Sequence, residues 1–183
     1  ILGYKYYLNK KELSDNVIKI SNLEQSIHLL KYSLLQSVVF GSEDKLLKVK
    51  TNKGEVLISD ILDGMNTMVF RFSEHSCEPC LNRELANISH LEKQGVPVLI
   101  VATYSNPRDF KLLLKKFDIG SRYILLEEGE SLCSFENTSY DLFVFLLDPD
   151  TNIRFLFFPV QNEDNLSIEY FDFIEALFKK HRK

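Results

Sequence analysis

The apolar residues of this chain follow two spacings, and together they predict an α/β fold. Residues 67–72 form a short apolar, β-favouring run, and residues 96–102 form an almost continuous apolar run typical of a parallel strand covered on both faces. Between them, apolar residues recur at steps of three and four and predict a helix over residues 77–94, namely Leu81, Leu85, Ile88 and Leu91. Gly95 is a natural end for this helix. Strand, helix and strand therefore predict a βαβ unit with a right-handed crossover.

Shorter patterns on either side extend the predicted sheet. Residues 45–51 and 55–59 flank Asn-Lys-Gly at 52–54, which predicts a hairpin, and residues 60–66 are expected to form a loop. Further strands are expected at residues 123–126, 142–147 and 153–158, with a turn at 148–152 between the last two. Amphipathic helices are expected after residue 105, with Pro107 just inside the helix, and at residues 167–179.

Residues 1–44 are expected to form an N-terminal extension of an α/β domain that covers residues 45–183. An apolar stripe predicts one amphipathic helix in the extension, formed by Leu23, Ile27, Leu30, Leu34 and Val38. Gly41 can end this helix, which we expect to pack on the body of the domain.

Composition excludes several classes of protein. The 183 residues carry a net charge of −4 with the two signs interspersed, so no basic stripe indicates nucleic-acid binding. Three cysteines cannot make a disulfide-stapled scaffold, and the fold must therefore rest on its apolar core. No apolar run approaches the roughly 18 residues of a membrane span.

The Cys77-Glu78-Pro79-Cys80 stretch, at the start of the predicted helix, carries the clearest chemistry. A helix that begins there directs unpaired backbone N–H groups and the positive end of its dipole at the Cys77 sulfur, and both stabilise the nucleophilic thiolate. Cys80 lies one turn further on and can close a small disulfide ring, with its own thiol expected to be buried and protonated. Pro79 suits an early helical position, where its missing N–H is not needed.

Two other readings of this motif are weaker. A structural zinc site needs a second ligand pair, yet the only other sulfur is Cys133, and His75 and His90 fit no zinc pattern. Covalent haem attachment needs a histidine directly after the second cysteine, where this chain has Leu81. We therefore expect neither a metal nor a cofactor.

Residues 52–64, the apolar strand and the Cys-Glu-Pro-Cys motif together resemble thioredoxin-like reductases of the TlpA/ResA type, in the AhpC/TSA-redoxin superfamily. The resemblance covers about residues 45–160. It implies a thioredoxin-like fold, a central mixed sheet flanked by helices, here with the N-terminal helix and hairpin added. It also implies thiol–disulfide exchange with protein substrates and an upstream thiol reductant. The expected location is periplasmic or otherwise extracytoplasmic, and a signal peptide or membrane tether before residue 1 would fit.

The resemblance implies catalytic roles that the residues support to different degrees. Cys77 attacks and Cys80 resolves. The family usually has a Glu three residues after the second cysteine, and Glu84, four residues after it, either shuttles the proton of Cys80 or is a solvated helix residue. Arg71, on the central strand, either favours the Cys77 thiolate or extends into solvent. If buried, it needs a partner, for which Glu74 and Glu84 are the candidates.

The substrate-binding residues expected from the resemblance lie in two places. Four of them flank or separate the cysteines, namely His75, Ser76, Glu78 and Pro79. The other three occupy the place where the family carries a cis-proline facing the dithiol, namely Tyr140, Asp141 and Leu142. No proline is present there, and the chain has no tryptophan for the usual aromatic turn.

These departures keep one alternative to an oxidoreductase open, and the implied fold keeps a second. One is a catalytically inert thioredoxin-fold binding module, in which the dithiol is structural. The other is a peroxiredoxin-like peroxidase, for which Phe70 and Glu74 stand where the family's Pro and Thr would be.

Overall fold

The computed structural model describes residues 16, 19–20, 48–51, 54–132, 136, 142–161 and 164–181. The helix expected within residues 21–41 lies outside these ranges. So do three residues considered above, Cys133, Tyr140 and Asp141. The division of the chain at residue 45 therefore stays a prediction.

A seven-stranded mixed sheet forms the centre of the described part. Its strands are β1 (Lys48–Thr51), β2 (Gly54–Leu57), β3 (Thr67–Ser73), β4 (Val98–Thr103), β5 (Arg122–Leu126), β6 (Phe143–Leu147) and β7 (Ile153–Phe157). The helices are α1 (Ser59–Leu62), α2 (Glu78–Lys93), α3 (Pro107–Lys116) and α4 (Asp164–His181). The strand order is β2-β1-β5-β4-β3-β6-β7. The predicted βαβ unit is confirmed, because β3 and β4 are adjacent and parallel with α2 between them in sequence.

Strand β3 is covered on both faces, and side-chain alternation assigns its residues to two different cores. Met68, Phe70 and Phe72 pack in the cluster that also contains the buried residues of α2. Val69 belongs to the second cluster, on the opposite face. Phe70 lies opposite Ile100 of β4 and Val144 of β6, which fixes the register on both sides. The apolar run of β3 thus reflects burial on both faces of the sheet.

Helices α2, α3 and α4 all contribute buried residues to the core on the first face of the sheet. The α2 residues predicted to be apolar all lie in this core, which α4 completes with Phe171 and Ile174. At the far end, the N–H of Val96 donates to Leu91 O after the C-cap residue Gln94, and Gly95 has φ 76°. Gly95 therefore ends the helix in the left-handed conformation that glycine adopts readily.

The loop predicted at residues 60–66 is wrong at its start, where the short helix α1 forms. Ile58 and Leu62 are both buried in the second core, and their spacing of four fits one helical turn. Asp63 then adopts a left-handed conformation with φ 52° and ends the helix. Arg122 holds this end by donating to Ile61 O and, at 2.7 Å, to the Asp63 carboxylate.

Candidate active site

A tight turn connects β3 to the cysteines, and serine hydroxyls stabilise it. The N–H of Ser73 donates to the Ser76 hydroxyl at 2.9 Å, and the N–H of His75 donates to the Ser73 hydroxyl at 3.1 Å. Ser76 is consequently buried, whereas the His75 side chain is 86% exposed. The two turn residues expected to bind substrate therefore differ: His75 faces solvent, and the Ser76 hydroxyl helps form the turn.

Glu74 fastens the same turn to the end of the neighbouring strand. Its N–H donates to Thr103 O at 3.0 Å. Its carboxylate accepts from the Ser105 hydroxyl at 2.8 Å and from the Ser105 N–H at 3.2 Å. These two donors from Ser105 lower the pKa of Glu74 below its usual value. The loop before the dithiol is therefore held at two points.

The cysteines lie where the sequence predicts. Cys77 is the N-cap of α2, and its carbonyl accepts the N–H of Leu81 at 2.8 Å as the first helical bond. No side chain caps this end of the helix. Cys77 is exposed and Cys80 is buried, with 5% of its surface accessible. Glu78 and Pro79 are both exposed in the first turn, next to Cys77.

The Cys80 thiol is a weak acid in this environment. Burial raises its pKa to about 11, and the hydrogen bond and charge interaction with Cys77 act in the same direction. The positive charge of Arg83 opposes the shift. Cys80 is therefore protonated at neutral pH, and the two sulfurs differ in access as expected. Its role as the resolving thiol stays a prediction.

Glu84 is fully buried between α2 and α4, so the reading as a solvated residue is wrong. Its carboxylate accepts from Ser167 Oγ on α4 at 2.7 Å, from Arg83 Nε at 2.7 Å and from Asn87 Nδ2 at 3.2 Å. Its charge also contributes, after burial, to a raised pKa of Tyr170. A buried carboxylate with three donors links the two helices. A role in proton transfer stays a prediction.

Arg71 is buried too, and both partners expected for it are wrong. Its Nε and Nη2 donate to the two carboxylate oxygens of Glu136, each at 3.2 Å. Nη2 also donates to Thr103 Oγ1 at 2.9 Å, and Nη1 donates to Phe72 O. Only 5% of the Arg71 side chain is exposed, so the arginine does not extend into solvent. An influence of Arg71 on Cys77 stays a prediction.

Sequence reasoning missed Arg83, which lies beside Cys80. A cavity of about 310 Å³ is lined by both residues together with Pro79, Gln161 and Asp164. Arg83 Nη1 donates to Asp164 Oδ1 at 2.5 Å, and Nη2 donates to Val160 O at 3.1 Å. The spacing of three residues from Cys80 could have indicated Arg83, because such positions are neighbours on a helix. The two partners at residues 160 and 164 carry no comparable indication in the sequence.

The remaining expected site residue, Leu142, is buried directly before β6. Across the described ranges, no cluster of three or more His, Cys, Asp or Glu side chains is arranged to hold a metal ion. Within the same part of the chain, no helix has the length and apolar character needed to cross a membrane.

A mixed sheet whose central strand leads into a dithiol at a helix N-terminus defines a thioredoxin-like fold. A yeast mitochondrial 1-Cys peroxiredoxin has this fold with a TM-score of 0.50, 17% identity and coverage of 78% of each chain. A secreted disulfide oxidoreductase of Mycobacterium tuberculosis, described as homologous to E. coli DsbE, has a TM-score of 0.49 at 11% identity, over 70% of this chain and 98% of its own.

A thiol:disulfide interchange protein from Bacteroides sp. gives a TM-score of 0.45 at 13% identity, over 71% of this chain and 84% of its own. No protein-family model matches the sequence. No curated protein matches it either. At these identities the structural similarity identifies the fold alone.

Proposed function

We propose that this protein is a thiol–disulfide oxidoreductase that exchanges disulfides with protein substrates through Cys77 and Cys80. The observation that carries the proposal is the asymmetry of the dithiol. Cys77 is exposed at the N-terminus of α2, and Cys80 is buried one turn inside the helix. An exposed attacking thiol and a protected resolving thiol are what sequential thiol–disulfide exchange requires.

The reaction proceeds in two exchange steps. The Cys77 thiolate attacks a substrate disulfide, forms a mixed disulfide and displaces one substrate thiolate. Cys80 then loses its proton and attacks the Cys77 sulfur. The Cys77–substrate bond breaks, its electron pair leaves with the second substrate sulfur, and the protein keeps an internal disulfide. The substrate disulfide gains two electrons and the protein dithiol loses two. An upstream thiol reductant, still to be identified, would restore the dithiol.

The N-terminus of α2 supports the first step. No side chain occupies the cap, so the first N–H groups of the helix are available to the Cys77 sulfur. Exposed Glu78, in the first turn, adds a negative charge that partly opposes this effect. His75, Glu78 and Pro79 are exposed and lie within two residues of Cys77 in sequence, so a protein that docks at Cys77 is expected to contact them.

The proposed setting rests on the resemblance of residues 52–80 alone. On that resemblance we propose an extracytoplasmic space such as the periplasm. The peroxidase alternative is less favoured: Phe70 is fully buried in β3, and the Glu74 carboxylate is bonded to Ser105. Neither residue supplies the hydroxyl that would position a peroxide.

A trapping experiment tests the proposal against an inert dithiol. Each variant is prepared with Cys133→Ser, reduced, and mixed with an oxidised protein substrate before mass spectrometry. Cys80→Ser is expected to accumulate a mixed disulfide at Cys77, because attack remains and resolution is lost. Cys77→Ser is expected to trap nothing. Equal trapping by both variants would reverse the assigned roles, and no turnover by the protein with both cysteines would favour the binding module.

Glu84→Gln tests the predicted proton transfer in the same assay. The amide keeps an acceptor for Ser167 while it removes the titrating group. A proton-transfer role predicts slower resolution with an altered pH dependence. An unchanged pH–rate profile in the folded variant would leave Glu84 as a structural link between α2 and α4.

A further inference from the structure

We propose that Arg83 is a positioning residue for the second exchange step: its guanidinium, held at the wall of the Cys80 cavity, stabilises the Cys80 thiolate as it forms. The proposal rests on the dithiol chemistry proposed above and adds a residue to it. Arg83 and Cys80 are one helical turn apart on α2 and line the same cavity. Among the residues that the structure describes, no other arginine or lysine lines that cavity.

Three contacts hold the guanidinium in place. Nε donates to buried Glu84, Nη1 to Asp164 at the start of α4, and Nη2 to the carbonyl of Val160. Only 17% of the side chain is exposed, although arginine usually reaches solvent from such a position. An arginine fork that is already ordered loses little further freedom when a new charge appears beside it. The contacts therefore fix a positive charge next to a thiol that has to ionise.

The charged groups around Cys80 have opposing effects on its pKa, so single substitutions can move that pKa in either direction. Cys77 faces it from the turn, Arg83 from the following turn of α2, and Asp164 from α4. Glu84 does not line the cavity, but it forms an ion pair with Arg83. Burial and Cys77 raise the pKa of Cys80, and Arg83 acts against them. Arg83 is thus the favourable charge for the thiolate in this set, and Asp164 reduces its effect.

The step in which Arg83 acts is the formation of the internal disulfide. Cys80 releases its proton to water, directly or through Glu84, and its sulfur forms a bond to the Cys77 sulfur. The bond between Cys77 and the substrate sulfur breaks, and the substrate leaves as a thiolate that takes a proton from water. Arg83 forms and breaks no bond. It lowers the free energy of the state in which Cys80 is ionised before attack.

The test separates capture by Cys77 from resolution by Cys80. Reduced Cys133→Ser protein is mixed with excess hydroxyethyl disulfide and quenched with acid, and the mixed and internal disulfides are quantified by mass spectrometry at several pH values. Arg83→Gln is expected to slow resolution about tenfold at neutral pH and to move its pH–rate inflection up by about one unit. Capture by Cys77 should change by less than about twofold, since that step precedes ionisation of Cys80.

Matched variants exclude a general loss of charge or structure. Arg83→Lys keeps the charge and should recover most of the resolution rate. Arg108→Gln removes the same charge from an exposed position on α3 and should leave both steps unchanged. Asp164→Asn removes the negative charge that pairs with Arg83, so it should speed resolution and move the pH–rate inflection down. Because the Asp164 side chain is exposed, this variant provides the test if Arg83→Gln does not fold.

Two results would overturn the proposal. One is an unchanged inflection in both Arg83→Gln and Asp164→Asn. The other is equal slowing of capture and resolution. Hydroxyethyl disulfide reacts with an accessible thiol without protein recognition, so the role of Arg83 is tested even if no physiological protein substrate exists. If the protein-trapping experiment fails while the hydroxyethyl disulfide assay gives the expected results, the proposed function is wrong and the role of Arg83 in resolution still stands.

Discussion

Arg71 and Glu136, 65 residues apart in sequence, form an ion pair in which neither side chain is more than 8% exposed. The pair joins the central strand to a residue that follows β5 and precedes β6. Glu136 Oε1 also accepts the N–H of Leu132 at 2.7 Å, and Arg71 also bonds to Thr103. The guanidinium therefore links β3 to Glu136, and through it to Leu132, on the second face of the sheet, opposite the core that contains α2.

Removing Arg71 should destabilise the fold strongly. Arg71→Met leaves the Glu136 charge buried without its partner, so the free energy of unfolding should fall by about 3–5 kcal/mol, as measured by urea denaturation. Arg71→Met combined with Glu136→Leu should cost less than the sum of the two single changes, because no buried charge remains. Additive costs would show that the two side chains do not depend on each other.

Removing the Ser167 hydroxyl should loosen the contact between α2 and α4. Ser167→Ala leaves the buried carboxylate of Glu84 with one donor fewer, so the free energy of unfolding should fall by about 1–3 kcal/mol. Asn165→Ala, at an exposed position on the same helix, is the control and should change stability little. Equal losses in the two variants would indicate a general effect on α4.

Stability of the reduced protein should decline at alkaline pH because of Cys80. The folded state raises the pKa of this thiol from 9.0 to about 11, so the folded state holds the proton more tightly than the unfolded chain does. The resulting stabilisation is complete below pH 9 and is lost as the pH rises to about 11. Cys80→Ala should reduce the decline of the unfolding free energy in that window. An identical decline in the variant would contradict the assignment.

Ser105 should control the ionisation of Glu74 and thereby the turn before Cys77. Because its two donors stabilise the carboxylate, Ser105→Ala should raise the pKa of Glu74, which can be followed by NMR of the side-chain carboxyl carbon. Ser105→Thr keeps the hydroxyl and should behave like the natural protein. Because the pKa of Glu74 is lower in the folded protein than in the unfolded chain, its hydrogen bonds to Ser105 add to the free energy of unfolding at pH values above the unfolded-state pKa. This stabilisation is lost as the pH falls through the folded-state pKa.

Much of the sheet could be predicted because its strands bury both faces. The apolar run around Phe70 and the stripe on α2 are local patterns, and local patterns determine where such elements form. The order of the cysteines was predictable for the same reason, since a helix that begins at Cys77 exposes its first residue and buries the next turn.

The ionic partners could not be predicted because their contacts are not local. Arg71 and its partner Glu136 are 65 residues apart in sequence, and Arg83 and its partner Asp164 are 81 residues apart. No short-range pattern encodes either pair. The sequence left a solvated Glu84 open because nothing in it shows that α4 covers this residue and supplies Ser167. The helix α1 was missed because four residues are too few to show a period.

The alternation along β3 also limits where the chain can change length. Inserting one residue inside the strand would exchange its two faces, so that the arginine would enter the core beside α2 and a phenylalanine would meet Glu136. An insertion in the turn at residues 74–76 would leave that parity intact. Natural variants of this chain should therefore differ in length at the turn, or by even numbers within the strand. Chains with an odd insertion inside β3 should also lack the Arg–Glu pair.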